Sequence, residues 1–77
     1  MKISIDKIAR VHFFWVTLSE RAKVRRFLTK LRKDGNEYFE IGDSSHQRRD
    51  GQMVGSITIE VYEYSLPYIE EYQRKLS

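Results

Sequence analysis

Apolar and polar residues alternate weakly over Lys2–Ile5 and strongly over Ala9–Leu18, where Val11, Phe13 and Trp15 fall on one face and His12, Phe14 and Val16 on the other. Alternation with β-branched and aromatic residues predicts a strand. Apolar groups on both faces predict that it lies centrally or is covered by another chain. The period then changes. Val24, Phe27, Leu28 and Leu31 recur at the i, i+3, i+4, i+7 spacing of a buried helical stripe. Thr17-Leu18-Ser19-Glu20 has the form of a capping box at its start, with Ser19 as an alternative cap, and Gly35 supplies its stop. Asn36–Ile41 reads as a strand with Phe39 and Ile41 inward, and Gly42–Gln52 as a polar loop ending on the Asp50-Gly51 turn signal. Met53–Tyr64 alternates cleanly, with Ile57, Ile59 and Val61 inward and Ser56, Thr58, Glu60, Tyr62 and Tyr64 outward. Pro67 opens a last helix whose stripe is Ile69, Tyr72 and Leu76.

The predicted order is β(β)-α-β-β-α, an α+β domain spanning residues 1–77. Its economical packing is a small, mainly antiparallel sheet of three to four strands with two helices on one face. This arrangement resembles a ferredoxin-like plait lacking its last strand. Lys2–Ile5 or a second chain would fill the edge that such a plait leaves open.

Composition sharpens this picture. A chain of 77 residues supports one domain with thin stability, and the absence of cysteine excludes disulfides and thiolate zinc sites. The aromatic supply compensates, since large rings bury much area per residue. A homodimer would add core, and the two-faced apolar strand favours one. The longest apolar run, Phe13–Val16, is far short of the roughly 20 residues of a membrane span. No signal-peptide pattern is present, so the expectation is a cytoplasmic protein without membrane contact.

Charge changes the picture most. Residues 1–34 hold ten Lys or Arg against three acids, a net +7, whereas residues 35–77 carry a net −4. On the helical wheel Lys23, Arg26, Lys30 and Lys33 share the outward face, and Arg21, Arg25 and Arg32 flank the apolar stripe. So many like charges on one helix repel one another and favour an anionic partner, of which phosphate backbones are the commonest. Arg48 and Arg49 of the polar segment are further candidate contacts. The competing reading is a solvated face neutralised by carboxylates of the acidic half.

Three functions follow in order. The first is a non-enzymatic module presenting the basic helix to nucleic acid. The second is a protein-interaction module with an acidic partner surface, such as a phage or mobile-element regulator or inhibitor of a host protein. The third is a small toxin-like ribonuclease using His46 beside Arg48 and Arg49, with His12 as the second group of an acid–base pair. Leu31 to Gly35, followed by Ser45 and His46, is similar to the helix, glycine turn, strand and histidine of the HicA-type toxin ribonucleases. The likeness spans residues 24–76 and implies a catalytic role for His46. It departs where that family has Gly-Ser-His and this chain has Ser44, Ser45 and His46, and the strand before the first helix has no counterpart. No cysteine nucleophile, glycine-rich phosphate loop or Gly-x-Ser-x-Gly elbow occurs. Two histidines without a carboxylate cluster predict no metal site, and no cofactor is expected. Glu70 and Glu71 diverge by roughly 100° on a helix and form no carboxylate pair.

Overall fold

The computed structural model describes residues 1–6 and 9–76. Along them run β1 (Lys2–Ile5), β2 (Arg10–Trp15), α1 (Leu18–Lys33), β3 (Tyr38–Gln47), β4 (Met53–Val61), a 3-10 turn over Glu63–Ser65, and α2 (Leu66–Leu76). The four strands form one sheet in the order β1-β2-β4-β3, every neighbour antiparallel. The α+β class and element order are those the sequence predicts, and β1 fills the edge that the plait leaves open.

Alternation in β2 and β4 builds the buried side of the sheet. Val11 pairs with Ile59 and Phe13 with Ile57, and Ile3 extends the Phe13–Ile57 row onto β1. The α1 stripe of Val24, Phe27, Leu28 and Leu31 packs on them, with Ile69 of α2 beside it. Phe27 joins the layers, its ring centroid 5.9 Å from Phe13 on one side and stacked on Tyr72 at 4.0 Å on the other. Both helices therefore cover the same face. The opposite face, with His12, Phe14 and Thr58, is bare.

Local chemistry fixes the ends of α1. Thr17 Oγ1 accepts from the Glu20 N–H, while Glu20 Oε1 reaches back to the Val16 N–H, one residue beyond the usual capping-box partner. At the other end the Asn36 N–H bonds to the Leu31 carbonyl and the Gly35 N–H to that of Arg32, with Gly35 at φ 86°. These are the two bonds of a Schellman stop. The Ser65 hydroxyl, fully buried, donates to Asn36 Oδ1 and ties the start of α2 to this turn.

The Glu20 carboxyl lies below its usual range, first because the Met1 amino group donates to it at 2.8 Å and then because the Val16 N–H does. A lowered carboxyl contributes stability that is complete above the unfolded value, near 4.3, and is lost as pH falls through the folded one. Glu20→Gln is thus expected to cost about 1 kcal/mol at pH 7. The difference should close below about pH 4, a comparison that urea unfolding at the two pH values makes directly.

Several boundaries differ from the sequence reading. The strand expected over Ala9–Leu18 is confined to Arg10–Trp15, because Ala9 takes a left-handed φ of 60° and Thr17 already caps α1. The strand expected to end at Ile41 continues to Gln47, so most of the supposed polar loop, His46 included, is β-structure. Phe39 and Ile41 are not inward. Phe39 pairs across from Glu60 on the bare face and is 60% exposed, and Ile41 sits in a bulge and is 47% exposed. The bulge shifts the alternation so that Glu40 before it and Asp43 after it both face the helices. That shift also guards the edge strand, since a bulge and inward charges deter strand addition. The last long strand stops at Val61 rather than Tyr64, and Leu76 is exposed instead of completing the α2 stripe.

Candidate nucleic-acid interface

The fold divides the cations of α1 into two sets. On the side facing β3, the Arg21 guanidinium donates to Asp43 Oδ2 at 3.0 Å, and Arg25 bridges Glu40 and Asp43. Arg25 is held above its ordinary pKa, first by the Glu40 bond and then by Asp43. Arg32 lies 4.2 Å over the Tyr38 ring in a cation–π contact. The acidic half thus does fold against the basic helix, and it reaches the three flanking arginines.

It does not reach the others. Lys23, Arg26, Lys30 and Lys33 are exposed, and among the described residues none of them forms an ion pair. They lie along roughly 15 Å of helix, from the rise of 1.5 Å per residue. Three of them, Lys23, Arg26 and Lys30, form one wall of a groove of about 660 Å³ between α1 and α2, beside Phe27, Tyr68 and Tyr72.

The groove has a defined floor and far wall. Tyr72 stacks on Phe27 with 11° between the ring planes, and Tyr68 lies 5.9 Å from Phe27. The Tyr68 hydroxyl donates to Asp34 Oδ2 at 2.7 Å, a bond that raises the phenol's pKa. Burial raises that of Tyr72, opposed by the charge of Arg26. Both phenols are therefore neutral at pH 7. Lys75 and Glu71 pair at 3.7 Å on α2. The recurrence of Tyr68 and Tyr72 at i, i+4 signalled this aromatic wall in the sequence, but the sequence reading placed only Tyr72 in the α2 stripe.

The remaining candidates lie elsewhere. Arg48 and Arg49 occupy the β3–β4 turn, beyond the Trp15–Gly55 pair where β2 ends, and Arg48 lies 3.7 Å from Asp50. His46 is on β3 opposite Val54, on the bare face. His12 shares that face but is committed at both nitrogens, Nε2 to Asp6 Oδ2 at 3.0 Å and Nδ1 to Thr58 Oγ1 at 3.1 Å. Thr58 and Val54 are four residues apart on β4, about 13 Å at strand rise, so the two histidines are not assembled as an acid–base pair. The carboxylate–imidazole–hydroxyl chain through Asp6, His12 and Thr58 is not visible in the sequence, because it joins the residue after β1 to β2 and to β4, 46 residues further along.

Among the described residues no cluster of three or more His, Asp or Glu is placed to hold a metal, and no helix is long and apolar enough to cross a membrane. No protein-family model matches the chain, and neither a curated protein nor a solved structure matches it.

Proposed function

We propose that this chain is a non-enzymatic nucleic-acid-binding domain that holds phosphates along the outward face of α1, and that it acts in the cytoplasm. The observation that carries the reading is the sorting of charge on one helix. Arg21 and Arg25 are paired with carboxylates of β3 and Arg32 lies over the Tyr38 ring, while four neighbouring cations are exposed and, among the described residues, form no ion pair. Repulsion among those four is relieved when they meet a phosphate backbone, and the release of condensed counterions drives the association. A second reading, a partner protein docked on the molecule, is favoured by exposed rings: Phe14 and Phe39 on the bare face of the sheet, and Tyr62 stacked on Tyr64 just beyond the end of β4.

The test is fluorescence anisotropy of a labelled oligonucleotide titrated with protein at rising salt. Four phosphate contacts predict a slope of about −3 in log affinity against log salt for a single strand. Affinity should then fall about fiftyfold between 50 and 200 mM salt. Absence of salt-dependent binding to both RNA and DNA overturns the reading.

A further inference from the structure

We infer that the groove between α1 and α2 receives an unstacked base of a single strand whose phosphates lie on Lys23, Arg26 and Lys30. The inference rests on the nucleic-acid reading and specifies its substrate as single-stranded.

The basic wall and the aromatic wall belong to one groove, so a strand tracking the cations passes beside Tyr68 and Tyr72. Stacking on aromatic rings is how single strands are held without sequence preference, because every base has a π-face. The rings here are already ordered. Tyr72 is fixed by its stack on Phe27, and Tyr68 by its bond to Asp34, so little side-chain entropy is left to lose on binding. Burial raises the Tyr72 phenol's pKa further above neutral pH, so the ring beside Arg26 is uncharged.

Charge distinguishes a nucleobase, which is neutral, from anionic ligands. Asp34, the C-cap of α1 one turn beyond Lys30, and Glu71 of α2 line the same groove. Carboxylates there would repel a polyphosphate that filled the cleft. They suit a nucleobase edge, which offers amino and imino N–H donors. A duplex keeps its bases stacked and opens only their edges in its grooves, so it can use the cations but offers no base face to the rings.

The experiment compares a labelled 12-nucleotide RNA of mixed sequence with the blunt duplex of the same sequence, on the full chain. The single strand is expected to bind at least tenfold tighter. Tyr68→Leu and Tyr72→Leu should each weaken the single strand by about 5- to 150-fold and leave duplex affinity and salt slope unchanged. Tyr72→Leu removes a stacking partner of Phe27 and could unfold the domain, so a second measurement uses the unaltered protein. Ring-proton resonances of Tyr68 and Tyr72 should move on adding the single strand and stay in place on adding the duplex. Equal affinity for both forms with unmoved ring signals overturns the groove and leaves the phosphate reading intact. Binding to neither form overturns both.

Discussion

Gly55→Ala is expected to lower the unfolding free energy by about 3 kcal/mol or more, at the upper end of what overpacking does. Gly55 lies on β4 opposite Trp15 and beside β3. A Cβ there would stand 2.2 Å from the Ser44 carbonyl oxygen and 2.6 Å from the Trp15 ring. Trp15 is 1% exposed and has nowhere to turn, and the carbonyl belongs to the neighbouring strand's backbone. Neither contact can be relieved by rotating a flexible side chain. A domain of this size holds only roughly 4–12 kcal/mol in total, so the loss is a large share of it. Thermal unfolding should show a midpoint lower by about 12–24 °C. Gly42→Ala is the internal control, because a Cβ there meets only Thr58 at an ordinary 3.7 Å. Equal stability of the two variants would mean that Trp15 and β3 do not close over Gly55 as described.

The triple variant Lys23→Glu, Arg26→Glu, Lys30→Glu is expected to lose nucleic-acid affinity by a hundredfold or more at about 100 mM salt, through lost counterion release and added repulsion. It should remain folded. All three positions are exposed and make no ion pair among the described residues, and surface changes of that kind stay within about 0.5 kcal/mol each. The contrasting pair is Arg21→Gln with Arg25→Gln. That variant leaves Glu40 and Asp43 close together without their guanidinium partners, at a cost of about 1–2 kcal/mol in stability. Its affinity for nucleic acid should be nearly unchanged. Arg25→Glu combined with Arg26→Glu would confound the two effects, because the fold assigns those neighbours to different surfaces.

Much of this architecture was legible because the periodic signals were strong. The stripe from Val24 to Leu31, the Thr17 cap and the Gly35 stop are local, and each has a direct chemical reason. Ile57 and Ile59 alternate in a strand with one covered face, which leaves little ambiguity about which side is buried. β3 hides its pattern for a reason just as physical. Its helix-facing positions are Glu40 and Asp43, charged residues that are acceptable there only because Arg21 and Arg25 meet them from α1. A one-residue bulge at Ile41 reverses the alternation between them, and no local pattern announces it. Hydrophobicity alone puts Phe39 inward, and the register set by Tyr38 against Val61 turns it outward. The candidate site was legible in part. The helical wheel separated the outward cations from the flanking ones, but which acids would meet Arg21 and Arg25 depended on β3. The groove depends on two helices about 40 residues apart in sequence, and their juxtaposition is a property of the whole sheet.

The central claim is that the fold reserves the outward cations of α1 for phosphate. It is tested most directly by the salt slope of binding in single neutralising variants. Lys23→Gln, Arg26→Gln and Lys30→Gln should each reduce the slope by about 0.7 for a single strand, the contribution of one phosphate contact. Arg21→Gln and Arg25→Gln should leave it unchanged. The opposite pattern, an unaltered slope in the first three and a reduced slope in Arg21→Gln or Arg25→Gln, would contradict the account.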